Sequence, residues 1–116
     1  MDYRVTINNQ TFDLPKKTIA ITQKVEEIDA VSENLSIEPT IRFEMMYSFI
    51  ASVIGITNTR KILGSSVAKC DTNEILIITK SIIDVYNSPI KRYNDTKKLD
   101  DLSKSPLGRL MANKNA

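Results

Sequence analysis

The chain has 116 residues, of which 41% are hydrophobic and 26% charged, with a formal net charge of +2. That is enough chain for one domain with a real core, and the near-neutral balance gives no electrostatic reason to expect nucleic acid or an anionic membrane as the main partner. It contains no histidine and a single cysteine, Cys70. The commonest general base, the commonest neutral metal ligand and any internal disulfide are thereby excluded, and the reading is of a protein that works in a reducing cytoplasm.

The first element is a two-stranded hairpin, residues 3–7 and 10–14. With Asn8-Asn9 as a two-residue turn, Ile7 faces Gln10, Thr6 faces Thr11, Val5 faces Phe12, Arg4 faces Asp13 and Tyr3 faces Leu14. Tyr3, Val5, Ile7, Phe12 and Leu14 then share one side, and asparagine tolerates the positive φ of a type I′ turn. An isolated hairpin is marginal in water, so it must dock on the rest of its own chain or join another subunit. The alternation of apolar and polar residues is unlike a signal peptide, and no apolar run reaches the ~18 residues of a membrane span.

The remainder reads as helix. Residues 18–33 place Ile21, Val25, Ile28, Val31 and Leu35 at helical spacing. Pro39 suits a first helical turn and opens a second helix over 39–54, where Ile41, Met45, Phe49 and Val53 form one line and Met46, Ile50 and Ile54 the next. This wide stripe marks the central helix. Gly55 and Gly64 are helix stops bracketing a short helix over 58–63. Asp71-Thr72-Asn73-Glu74 has the form of a capping box, and an Ile-rich helix over 72–87 comes next, with Lys80 and Asp84 paired at i, i+4. The β-branched residues of 75–83 would also suit a buried strand, but the run is too long for a typical one. Pro89 either kinks this helix or starts another over 89–95. The expected fold is α+β, mainly α: a hairpin plus three to five helices in one domain, 1–94, and a polar, weakly ordered tail, 95–116.

Catalytic chemistry finds little support. Cys70 stands before the capping box without a partner motif, and Glu26-Glu27 and Asp100-Asp101 diverge by about 100° on a helix. The three glycines are scattered and cradle no phosphate. Lys91, Arg92, Lys97, Lys98, Lys104, Arg109 and Lys114 concentrate positive charge late in the chain, but Asp95, Asp100 and Asp101 offset it and no nucleic-acid-binding pattern accompanies it. The expectation is no catalytic residue, no cofactor and no metal. Met45, Met46, Phe49, Ile50 and Val53 are read as core or as an adaptable client groove, the hairpin residues Tyr3, Val5, Ile7, Phe12 and Leu14 as a subunit contact, and Leu107, Leu110 and Met111 as a tail contact. The apolar excess on two helices points toward self-association.

The stretches VTINNQTFDL (5–14), TIAITQKVEEIDAV (18–31), RFEMMYSFIASVIG (42–55), KILG (61–64) and DVYNSPIKRY (84–93) give a chain that resembles, over about residues 3–94, the tail assembly chaperones of long-tailed bacteriophages of Gram-positive hosts. The resemblance implies a non-enzymatic protein of the host bacterial cytoplasm, absent from the mature virion. Its client would be the tape-measure protein, kept soluble while the tail tube polymerises around it, with the tail tube protein a further partner and neither nucleic acid nor membrane engaged. Two other readings stay open on the residues alone: another small phage assembly protein, such as a head–tail connector or completion protein, and a small DNA-binding regulator.

Overall fold

A computed structural model describes residues 1–104, with side chains through residue 97. It contains an antiparallel hairpin, β1 (Arg4–Ile7) and β2 (Gln10–Asp13), then helices α1 (Ile19–Glu33), α2 (Pro39–Ile54), α3 (Ile56–Leu63) and α4 (Thr72–Lys104), with a 3-10 turn at Val67–Lys69 before α4. The chain divides into two compact units, Met1–Tyr86 and a second beginning at Asn87.

The hairpin register is the one its side chains dictate: Arg4 opposite Asp13, Val5 opposite Phe12, Thr6 opposite Thr11 and Ile7 opposite Gln10. Asn8 and Asn9 take φ of 51° and 65°, the left-handed pair that a type I′ turn needs. On the outer face Arg4 Nε donates to Asp13 Oδ1 at 2.9 Å, and the Thr6 and Thr11 hydroxyls lie 3.0 Å apart. Val5, Ile7, Phe12 and Leu14 are buried against the helices. Tyr3 is half-buried, its ring 5.1 Å from that of Tyr86. The hairpin therefore docks on its own chain, with Val5, Ile7, Phe12 and Leu14 in the core of the domain and Tyr3 packed against it.

Helix α1 is capped by Thr18, whose hydroxyl accepts from Ile21 N at 3.3 Å. Ile21, Val25, Ile28 and Val31 are buried along one stripe. Leu35 does not continue it, because the helix ends at Glu33 and the turn after it leaves Leu35 83% exposed. Arg42 ties this turn to α2, its guanidinium donating to the carbonyls of Ile37 (3.1 Å) and Asn34 (3.4 Å). Helix α2 is the central element: Met46 and Ile50 are fully buried, with Tyr47, Phe49, Val53 and Ile54 close behind.

Gly55 and Gly64 both hold φ above 90°, a region that favours glycine, and so separate α2 from α3 and end α3. The second stop is fixed from α2, where the Tyr47 hydroxyl donates to Gly64 O at 2.6 Å. Helix α3 starts at Ile56, two residues ahead of the expected bound.

Helix α4 begins at the predicted cap. Asp71 Oδ1 accepts from Asn73 N at 2.8 Å and Glu74 N at 3.2 Å. Residues 75–83 are helical, which resolves their strand-like composition: Ile75, Ile78, Ile82, Ile83 and Tyr86 recur at 3.6-residue spacing and all are buried. Two buried threonines spend their hydroxyls within their own helices, Thr59 on Gly55 O at 2.7 Å and Thr79 on Ile75 O at 2.8 Å. The expected division into helices 72–87 and 89–95 is not observed. Pro89 lies inside one continuous helix that runs past Asn94 to Lys104, so the segment 95–104, read as the start of a weakly ordered tail, is helical. Proline removes one N–H from the ladder, and the good helix formers after it (Lys91, Arg92, Lys97) sustain the helix beyond that defect.

Lys80 also departs from expectation. Rather than pairing with Asp84 along α4, its ammonium reaches α1 and bonds Asp29 at 3.0 Å and Glu33 at 2.6 Å. Burial works against the ammonium charge, but the bonds to Glu33 and Asp29 outweigh it and leave the Lys80 pKa above the ordinary lysine value.

Candidate functional site

An open groove of about 410 Å³ lies between α1 and α2 in the first unit. Helix α1 contributes Lys24, Glu27 and Ile28, which the i, i+3, i+4 rule places on one face. Helix α2 contributes Ile41, Glu44, Met45, Ser48, Phe49 and Ser52, a single strip by the same spacing. Ile28 and Phe49 are buried and form the floor. Met45 is half-buried and Ile41 is 50% exposed, so the upper wall is apolar surface open to solvent. Glu27, Glu44 and Lys24 make a charged rim of mixed sign. The volume falls within the roughly 300–1,000 Å³ of ligand pockets, and the open, elongated form between two helices suits a side chain of a third helix better than an enclosed small molecule.

This groove separates the two roles that the sequence leaves joined. Met46, Ile50, Phe49 and Val53 belong to the core, the first two without any exposed surface. Met45 and the upper edge of Phe49 line the groove. Ile28 and Ile41 complete it and are not marked by the sequence as groove residues, although Ile41 heads the Ile41, Met45, Phe49 line; an apolar residue near a helix start gives no sign of which neighbour covers it. Methionine at the rim is suited to different partners, because its unbranched thioether repacks easily. Leu107, Leu110 and Met111, read as a tail contact, lie outside the described residues.

The one thiol is poorly placed for chemistry. Cys70 Sγ donates to Leu63 O at 3.0 Å and Ser66 O at 3.2 Å, and burial, with the Glu74 charge adding to it, pushes its pKa above the ordinary cysteine value. A thiol so held is a weak nucleophile at neutral pH. Among the described residues no three His, Cys, Asp or Glu side chains gather to hold a metal ion. No helix among them is long and apolar enough to cross a membrane. Lys91, Arg92 and Lys97 are exposed on the second unit's helix, where Arg92 donates to Ser88 Oγ at 3.1 Å.

Comparison with profiles of known protein families, with curated proteins and with solved structures finds no match for this chain.

Proposed function

We propose that the protein is a non-enzymatic bacteriophage tail assembly chaperone that binds helical segments of the tape-measure protein in the groove between α1 and α2, working in the host cytoplasm and leaving before the virion is complete. The observation that carries this reading is the half-open apolar wall of Ile41 and Met45 above a buried floor of Ile28 and Phe49. An amphipathic client helix presents apolar side chains at i, i+3, i+4 and i+7, and a groove between two helices receives such a ridge. Each site binds modestly, and many copies along one long client would together hide its apolar surface until tube subunits displace them. The resemblance of the hairpin and helices to that family supplies the client's identity; the groove supplies a means of holding it.

Co-expression tests the reading. The tape-measure protein from the same genome should be soluble with the wild-type chain and insoluble with Ile41→Asp or Met45→Asp, both at positions with exposed surface. Met46→Asp and Phe49→Asp would test the core instead. Soluble client with either groove variant, each shown to be folded, would reject the groove as the client site. Finding the protein at fixed stoichiometry in purified virions would reject the chaperone reading in favour of a connector.

A further inference from the structure

We propose that β1 is a docking edge for a second copy of this chain, the two β1 strands pairing antiparallel about a two-fold axis at Val5 to make a four-stranded sheet. The hairpin's own bonds point to that edge. Leu14 N donates to Tyr3 O at 2.8 Å, which makes Tyr3 and Leu14 a hydrogen-bonded pair. Such pairs alternate along an antiparallel ladder, so Val5–Phe12 and Ile7–Gln10 are bonded too, and the N–H and C=O groups of Arg4 and Thr6 point away from β2. No hydrogen bond engages those outward groups among the described residues. They are placed symmetrically about Val5. One register therefore serves both copies: Arg4 of each exchanges backbone bonds with Thr6 of the other, Val5 meets Val5, and Tyr3 meets Ile7.

The side chains agree with that register. On the outer face Arg4 stands opposite a threonine, so no like charges meet. On the inner face all pairs are apolar. The other edge does less well: the equivalent axis at Phe12 sets Gln10 against Leu14 on the apolar face, and Pro15 comes immediately after. β1 carries neither proline nor lysine to protect its edge, and its one charge is already paired with Asp13.

A second observation lies beside the same strand. Thr6, Ile7 and Asn8 border a groove of about 270 Å³ whose other side is Ile62 of α3 and Glu74, Ile77, Ile78 and Ser81 of α4. Ile77 is 64% exposed there, a large apolar side chain left uncovered beside the buried Ile75 and Ile78. A strand added to β1 turns its inner-face side chains toward the helices, as Val5 and Ile7 do, and in this register Tyr3 of the second copy, opposite Ile7, is the one brought toward Ile62 and Ile77. The pairing thus uses an open backbone edge and an uncovered apolar side chain together. It places assembly at the hairpin and leaves the α1–α2 groove free.

Sedimentation velocity on the full chain tests the proposal. Thr6→Pro deletes an outward N–H while sparing every backbone bond within the hairpin, its loss of the exposed Thr6–Thr11 hydroxyl contact being shared by the Thr11→Pro control, and the extended backbone is compatible with proline at that position. It should raise the dimer dissociation constant by on the order of tenfold or more. Thr11→Pro makes the same change on the opposite edge and should leave association as in the wild type. A wild-type chain that stays monomeric at high concentration, or equal loss in the two variants, would overturn the proposal. Cysteine pairing reads the register directly and covers the case in which a proline variant fails to fold. In a Cys70→Ser background, Arg4→Cys chains mixed with Thr6→Cys chains should oxidise to the mixed disulfide in preference to either homodimer, since those two positions lie about 5.5 Å apart across the axis. Homodimers in equal or greater yield would contradict the register.

Discussion

Tyr86 joins the hairpin end of the domain to α4, and its removal should show a distinctive dependence on pH. The side chain is 1% exposed, its ring packs on Tyr3 and its hydroxyl donates to Pro15 O at 2.7 Å. Burial, with a smaller contribution from Tyr3, pushes its pKa up to about 12 from the ordinary 10. A raised pKa means that the folded protein holds the phenolic proton more tightly than the unfolded chain does. The associated stability is fully present below pH 10 and is lost as pH climbs toward 12. The loss amounts to about 1.4 kcal/mol at pH 11 and over 2 kcal/mol at pH 12. Near neutrality Tyr86→Phe forfeits one hydrogen bond to a carbonyl of an exposed residue, about 1 kcal/mol. Urea denaturation of both proteins should therefore find the wild type more stable by about 1 kcal/mol from pH 7 to 9, the two nearly equal close to pH 11, and the variant the more stable above it. The Lys80 ammonium, whose pKa is raised, is common to both proteins and cancels from the difference. A stability difference that stayed constant from pH 7 to 11.5 would refute the assignment of a buried, hydrogen-bonded phenol.

Other local features give equally direct outcomes. Lys80→Met should cost up to about 1 kcal/mol, since its partners Asp29 and Glu33 are half-exposed or more, and most of the difference should vanish in 1 M salt as measured by urea titration. Gly64→Ala meets no atom within 4 Å of the added Cβ, so its whole cost is the backbone conformation at φ +94°, about 1–3 kcal/mol in thermal or chemical denaturation. Asn9→Gly should stabilise by some tenths of a kcal/mol, because glycine accepts the φ of 65° without the residual Cβ strain; a loss of stability would argue against the type I′ turn. Cys70 should react with iodoacetamide more slowly than a small free thiol at pH 7.5, as its raised pKa requires.

The parts of the fold legible in the sequence are those governed by near neighbours. The hairpin register comes from two asparagines and the charge and size of the residues flanking them, and the Asp71 cap and the glycine stops are likewise short-range chemistry. The departures depend on contacts or cooperativity beyond a few residues. Proline ordinarily ends a helix, yet Pro89 is carried inside α4 because a single missing N–H does not outweigh the ladder on both sides. Spacing alone pairs Lys80 with its neighbour Asp84, since it cannot show that α1 brings two carboxylates nearer. The candidate site is half legible: the Met45–Phe49 line is visible, but whether such a line is core or groove depends on how closely α1 approaches, and only the packing of Ile28 against α2 shows that Met46 faces inward while Ile41 and Met45 remain accessible.

Occupancy of the α1–α2 groove by a helical client is read residue by residue in an NMR titration of the isotopically labelled full chain with helical peptides from the tape-measure protein. Saturable shifts concentrated at Ile28, Ile41, Met45 and Phe49, abolished by Ile41→Asp while the rest of the spectrum is retained, are the predicted result. Saturable binding that leaves those residues unmoved and perturbs another face, or no binding along the client's whole length, would contradict it.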